Sequence, residues 1–503
     1  TRMRLLEWER KFQREPSLDR NMSWGGMVGS PLPKISHEKM SDKQWLSAMR
    51  KAWPDWAHRR RKKIDGHLPG GASELASNGL QQQTKINPIR FIRLFLDHFD
   101  ETIPSTYWKA IINGISDADT LENSLIDKVL AKVYQHKDDE TLKSIIRGFE
   151  KYTSQGLEEN TISILVDIAS NAGDPEQDLW QKEEKDGSHY DGDPYFNGIN
   201  TVRGQAALAI HQFLYEFPEK YPQVQQAIRA GLTDKSAAVR SCAIYICPYL
   251  SHHKLDEGFI YFTQAVSDTP ELLVTNSARH CFKWFLENEW LAVHPIIQLM
   301  ALSDEKTIAE EGTILIGFAW LDGLIDNSEI IQYLEGSEFN RIGLAKVCAA
   351  NFKIKEYREK CLQHLSHFFY DDSKEVRESA DDFVRNINEG DIESLTDMII
   401  KYLESPAYSD DHMLFYRLEE AASVPAHLLL KAADAFLKLK AKELSDMGTS
   451  TPISAETLSK LLLGAYNNTN DIKLQMACLD RIDQLTLNGA YGLDIALSEY
   501  DRN

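Results

Sequence analysis

From Pro88 onward, apolar residues return every three or four positions in blocks of about a dozen, separated by short polar breaks, the rhythm of amphipathic helices. "NPIRFIRLFLDHF" sets Ile89, Ile92, Leu96 and Phe99 on one face, with Pro88 suited to a first helical turn. "PSTYWKAIINGI" and "LENSLIDKVLAKVYQ" follow at the same scale. No segment alternates like a strand over more than four residues, so the pattern predicts an all-α chain.

The first 85 or so residues read differently. They predict a helix at 3–14, an irregular stretch at 20–37, and a helix in "MSDKQWLSAMRKA" with Ser41 as cap, Gln44 completing a capping box and Pro54 ending it. Another helix is predicted in "SELASNGLQQQTK", after the Gly70-Gly71 turn. This segment also holds Trp8, Trp24, Trp45, Trp53 and Trp56, half of all tryptophans. The expected organisation is a Trp-rich basic segment at 1–85 and a helical array at 86–503.

Within the array one short phrase recurs: an apolar residue followed four positions later by a small one. It appears as Val202/Ala206, Val239/Ala243, Val274/Ala278, Ile308/Gly312, Arg341/Ala345 (the weakest match) and Val376/Ala380. The spacings are 37, 35, 34, 33 and 35, and a drifting period of this size marks a helical solenoid. Three copies read Val-Arg, and Asp234 and Asp371 each stand five residues ahead of the Val. The stretches Asp234–Arg240 and Asp371–Arg377 resemble the second-helix start of HEAT repeats. The fold expected is an α-solenoid. Its Val and Ala face the next repeat, where only small or apolar groups let helices approach closely. The Asp is expected to cap the helix and the Arg to reach a loop of the next repeat.

A polar insertion, "NAGDPEQDLWQKEEKDGSHYDGDPYFN" at 171–197, interrupts the array. It is too long for a helix–helix connection, and loops of this length are functional or disordered. Its Trp180, Tyr190, Tyr195 and Phe196 make it the expected site of protein contact, since aromatic side chains carry much of interface energy. Folding back onto the repeats is the alternative.

Charge narrows the partners. Residues 1–75 hold 16 Lys and Arg against 9 Asp and Glu, a balance of +7; with −20 for the whole chain, the remainder stands at −27. An acidic body repels a phosphate backbone, so nucleic acid is not an expected partner of the array. "HRRRKK" at 58–63 follows Trp53 and Trp56, and Arg59 and Arg60 are its expected contact residues. Packing on the chain's own acidic array, an acidic protein partner and nucleic-acid bases all remain open to it.

The candidate chemistry is sparse. His364, His367 and Asp371 fall one turn apart, but without HExxH they read as partly buried histidines rather than metal ligands. Asp191 and Asp193 resemble an EF-hand start, yet Phe196 stands where the loop needs Gly. Gly70-Gly71 ahead of a helix can hold an anion or simply turn the chain. No nucleophile–base constellation is visible, so no enzyme activity, cofactor or metal is expected of this chain. Cys242, Cys247, Cys281, Cys348, Cys361 and Cys478 sit in apolar text without CxxC pairs and read as buried free thiols of a reducing, cytoplasmic compartment. No apolar run approaches a membrane span and no signal peptide opens the chain; Thr1 in place of Met suggests a piece of a longer protein.

Two stretches resemble more than generic HEAT text. "WGGMVGSPLPKISHEKMSDKQWLSAMRKAW" with "LPGGASELASNGLQQQTKINPIRFIRLFLDHF", and "FNGINTVRGQAALAI", look like a pattern in the C-terminal parts of very large bacterial NTPases of the STAND/NACHT type that act in antiphage defence. The resemblance covers residues 22–115 and 195–212; the rest matches only as HEAT-like. It implies a sensor or scaffold arm that recognises a foreign protein, such as a phage protein, and a homo-oligomer formed through another part of the parent. This chain departs from a whole family member: it has no G-x-x-x-x-G-K-[ST] and no Gly-Lys at all. A free-standing HEAT scaffold or adaptor without an NTPase is the alternative.

Overall fold

A computed structural model describes residues 28–53, 67–119, 121–136, 138–153, 156, 158–175, 183–184, 187–188, 192–255, 257–409, 412–421, 423–442, 444 and 451–490. The expected helix at 3–14 lies outside them. The chain divides into two compact units, Thr1–Ser277 and Ala278–Asn503.

The first unit opens with β1 (Val28–Gly29), α1 (Lys34–Lys39) and α2 (Asp42–Arg50). Helix α1 occupies the end of the stretch expected to be irregular, because Pro33 sets an extended residue ahead of it. Ser41 caps α2 in a full capping box with Gln44. The helix stops at Arg50, ahead of Pro54: the Trp53 Nε1–H donates to the Ala48 carbonyl at 2.8 Å and so takes up a last-turn acceptor. After β2 (Leu68–Pro69), parallel to β1, three segments run on as one helix, α3: Ala72–Leu75, the π-helical Ala76–Gln81, and Gln82–Ile86.

Paired helices follow: α4 (Pro88–His98), α5 (Ser105–Ser116), α6 (Asn123–Val133), α7 (Asp139–Tyr152) and α8 (Glu159–Asn171). Next are β3 (Glu183–Glu184), β4 (Gly187–Ser188), α9 (Pro194–Gly198), α10 (Val202–Glu216) and α11 (Tyr221–Leu232). Helix α12 (Ala237–Ala243) leads through a 3-10 turn into α13 (Cys247–His253), followed by α14 (Gly258–Val266) and α15 (Asn276–Asn288). One row packs α5 on α7, α7 on α10 and α10 on α12; the other packs α4, α6, α8, α11 and α14 in succession. On α4 the buried face differs from the pattern: Phe91, Ile92, Leu94, Phe95 and Phe99 are inside, and Ile89 is 42% exposed. The helix is covered on more than one side, by α3, α5 and α6, so no single stripe suffices.

The second unit begins within α15, at Ala278, and repeats the plan with α16 (Trp290–Ala301), α17 (Lys306–Leu321), α18 (Asn327–Leu334), α19 (Glu338–Asn351), α20 (Arg358–Phe368) and α21 (Lys374–Arg385). It continues with α22 (Thr396–Glu404), α23 (His412–Glu420), α24 (Ala426–Lys440), α25 (Thr451–Asn468) and α26 (Ile472–Leu487). Helices α17, α19, α21, α23 and α25 pack in one row, and α20, α22, α24 and α26 in the other. The chain is therefore an all-α helical-repeat protein.

The recurring phrase is a packing device. Val202, Val239, Val376, Ala206, Ala243, Ala345 and Ala380 are all buried. The arginine beside it joins neighbouring repeats. Arg203 makes a paired contact with Asp234 (2.9 and 3.1 Å), and Arg240 reaches Asp268 (2.7 Å) and the Thr269 hydroxyl (2.6 Å). In the second unit Arg279 meets Glu311 (both contacts 2.8 Å) and Arg341 meets Asp371 (2.8 and 3.2 Å). The aspartates do not cap: Ser373 caps α21 itself, while Asp234 and Asp371 turn the chain by accepting the Ser236 and Ser373 N–H groups. Val274 lies in a 3-10 turn ahead of α15, and Arg341 stands in the arginine position rather than the apolar one, so two copies of the phrase were misaligned.

All six cysteines are free and buried. Burial pushes the Cys242 thiol up to about 12 and raises Cys247 as well. The thiols are therefore expected to resist a maleimide reagent in the native protein and all to react after denaturation; rapid native labelling of Cys242 would contradict that packing.

Candidate interaction surface

The strongest candidate surface lies on α10 and the elements beside it. Three interactions fix the start of this helix. Thr201 accepts the Gly204 N–H at 3.2 Å, and its hydroxyl donates to the Gly198 carbonyl at 2.8 Å. The Asp174 carboxylate accepts the Val202 N–H at 2.8 Å. Arg203 donates to the carbonyls of Ala172 (2.6 Å) and Pro175 (3.2 Å), which ties the segment leading into the insertion to the array.

The far end of the insertion is also anchored. Asp193 caps α9, accepting from the N–H groups of Tyr195 and Phe196 at 2.7 and 2.9 Å. Helix α9 lies against α12 so closely that a Cβ at Gly198 would fall 2.2 Å from the Ala238 carbonyl oxygen. A Cβ at Gly204 would stand 2.1 Å from the Gly198 oxygen. The glycines of "FNGINTVRG" are thus needed where two backbones meet. Gly198→Ala is expected to destabilise by roughly 1–3 kcal/mol and raise hydrogen exchange in α9; an unchanged melt would show that α9 does not sit there.

This packing brings a belt of rings to the surface. Tyr195 lies 5.7 Å from Tyr245, Tyr245 lies 6.2 Å from His211, and His211 lies 6.4 Å from Tyr249. Tyr249 is flanked by Tyr215 at 6.0 Å and His253 at 4.3 Å, and His253 by His252 at 4.9 Å. Phe196, beside Tyr195, is 47% exposed and Tyr215 is 73% exposed. The Tyr249 hydroxyl donates to the Leu214 carbonyl at 2.5 Å, fixing the middle of the belt. Tyr195 is pushed up to about 12, first by burial and then by its neighbours Tyr245 and Cys242. Burial, with the Glu219 charge, also raises Tyr249. These phenols stay protonated hydrogen-bonding groups at neutral pH.

Nearer its N-terminal end α10 also borders a cleft of about 430 Å³ beside α5 and α7, lined by Lys109, Glu140, Lys143, Arg147, Gln205 and Leu208 among others. Two of its cations are paired: Lys109 with Glu140 at 3.0 Å, and Arg147 with Asp117 at 3.0 Å. The hydrogen bond and charge of Lys109 hold Glu140 below the usual carboxylate range. Gln205, Leu208, His211 and Tyr215 share one side of α10, so cleft and belt form one continuous face.

Of the residues expected to contact a partner, Tyr195 and Phe196 stand on this face. Trp180, Tyr190, Trp56, Arg59 and Arg60 lie outside the described residues. Trp53 is half-buried, with Lys51 Nζ 4.4 Å from its ring centre. Sequence reasoning missed His211, Tyr215, Tyr245, Tyr249 and His253, because they sit in apolar helical text. The signal was the four-residue spacing of 211/215 and of 245/249/253, which stacks side chains on one helix face.

Other candidates resolve into structure. A larger cleft of about 850 Å³ is bounded by α1, α3 and His67. In it buried His37 bonds Ser30 at 2.9 Å, and it closes on the chain's own π-helical turn. The Gly71 N–H donates to Glu74 at 2.7 Å, so the helix N-terminus already holds an anion, the chain's own carboxylate. His367 bonds its own helix at Gln363 (3.0 Å) and Asp371 is engaged by Arg341, which disperses the imagined metal triad. Among the described residues no group of three His, Cys, Asp or Glu is placed to hold a metal, and no helix is long and apolar enough to cross a membrane.

No family model matches the chain, and no curated protein does. Among solved structures, a chain of the Pds5–Scc1 complex, described for its implications for cohesin function, is similar at 15% identity and a TM-score of 0.24, over 81% of this chain and 64% of that one. The chain thus spans less than two thirds of that protein's length. An engineered protein matches at 13% identity and a TM-score of 0.28, over 82% of this chain and 93% of its own. A homology model of the full-length AP-3 complex in an intermediate open conformation matches at 11% identity and a TM-score of 0.26, over 84% and 98%.

Proposed function

We propose that this chain is a protein-recognition arm, and that the α10 face is where the partner sits. The carrying observation is the ring belt: exposed Tyr215 and Phe196 continue into half-buried Tyr195 and Tyr245 across adjacent repeats. Rigid aromatic groups set on a packed scaffold lose little entropy on binding and supply much of the energy at interfaces. A helical array displays such groups over a long surface without needing a pocket.

The resemblance of residues 22–115 and 195–212 supports a finer reading: the ligand-sensing arm of a bacterial antiviral STAND-type NTPase, cytoplasmic, binding a foreign protein. No catalytic step is assigned to the chain itself. The finer reading is tested in the parent protein. Its coding sequence ahead of Thr1 should encode G-x-x-x-x-G-K-[ST], and partner-triggered nucleotide hydrolysis should fall with Tyr195→Ser/Tyr215→Ser. A parent with no such loop would make the chain a free-standing scaffold. The insertion contributes to the same surface on this reading. Replacing 176–192 by a short Gly/Ser linker leaves both anchors, Asp174 and Asp193, in place. The replacement is expected to preserve the fold and weaken the response; an untouched response would leave the α10 face alone as the contact.

A further inference from the structure

In the second unit the charged joints along the row α17, α19 and α21 run between neighbouring repeats. Arg279 and Glu311 are 32 residues apart, Glu310 and Lys346 are 36, and Arg341 and Asp371 are 30. One pair skips a repeat. Lys306, the first residue of α17, donates to Glu375, the second residue of α21, 69 residues away. The contact passes the start of α19, where Glu338 accepts the Ser373 hydroxyl and adds its charge to the field at Lys306.

A joint between neighbours can survive a change of angle between them, because it acts at its own hinge. A tie from α17 to α21 cannot: it breaks whenever their N-terminal ends part. The hydrogen bond and charge of Glu375 hold Lys306 above the ordinary lysine value, and Lys306 in turn holds Glu375 below the ordinary carboxylate value. Both are therefore charged at neutral pH. Their side chains are 47% and 53% exposed, within reach of dissolved ions. An exposed pair shifts an equilibrium by no more than a few-fold, enough to bias two close arrangements without locking either. We propose that Lys306 and Glu375 form an ionic strap across α19, which holds the N-terminal ends of α17 and α21 together and releases them when dissolved ions compete for the pair. The spacing of these repeats is then adjustable, a property that does not rest on the reading of the α10 face.

The test places nitroxide labels at Asp304→Cys and Asp372→Cys, exposed positions just ahead of α17 and α21. The six native cysteines are buried and are expected to stay unlabelled. Double electron–electron resonance reads the distance between the labels at about 20 mM and about 1 M NaCl. The longer-distance population is expected to grow about threefold at high salt. Lys306→Met and Glu375→Gln should each show that larger population already at low salt and lose the salt response, while Lys306→Arg keeps both. Lys374→Gln breaks only the pair with Glu378 within α21 and should leave the distance unchanged. A distance that ignores salt and both strap variants overturns the proposal, and so does a salt response that survives in both. Lengthening by Lys374→Gln as large as that of the strap variants would show a general charge effect and overturn it too.

Discussion

Val239→Asp is expected to open the array at the joint between α10 and α12. Val239 is fully buried, on a helix whose every residue is buried. A carboxylate there has no cation to meet, because Arg240 is already bonded to Asp234, Asp268 and Thr269. Burying an unpaired charge costs about 3–5 kcal/mol, a large share of what a domain has. Val239→Ala removes only apolar atoms and should cost about 2 kcal/mol. The comparison separates charge from volume. Hydrogen exchange should rise across α10, α12 and α13 in the Asp variant far more than in the Ala variant. Equal melting of the two would mean that Val239 does not face the next repeat.

Arg203→Ala carries a second large effect. The Arg203 and Asp234 side chains are 13% and 12% exposed, and the guanidinium also holds the Ala172 and Pro175 carbonyls. Truncation strands Asp234 without its cation and frees the start of the insertion. Breaking a buried pair from one side costs about 3–5 kcal/mol. Asp234 keeps one N–H donor, from Ser236, so the lower end of that range is expected. Arg203→Ala/Asp234→Ala together should lose less than the sum of the single changes, as coupled partners do. Strict additivity in the double-mutant cycle would show that the pair does not act as a unit.

The helical architecture was readable because each repeat buries its joint the same way, and burial leaves a periodic trace in sequence. The trace blurred where a polar group did the joining. Asn340, buried, bonds the Ala301 carbonyl at 2.6 Å and so fills a position that elsewhere holds Val. That displaced the sequence register by one and hid Arg341's role. Asp234 and Asp371 looked like caps because Asp is a common capping residue, yet their partners lie a repeat earlier in the chain, about thirty residues away, which no local pattern discloses. The proposed recognition face was half legible. Tyr195 and Phe196 stood out against polar text, whereas Tyr245 and Tyr249 were masked by the apolar residues they pack among.

The most direct test of the α10 face is photocrosslinking in cells carrying the parent protein. The photoreactive residue p-benzoylphenylalanine replaces Tyr215 on the belt and, separately, Leu299 on the exposed side of α16. The captured protein is identified by mass, purified, and titrated against the wild-type and Tyr195→Ser/Tyr215→Ser chains. A specific adduct from position 215 and none from 299, with affinity at least about tenfold weaker for the double variant, is the predicted result. An adduct from 299 alone, or equal affinity for both chains, would contradict it.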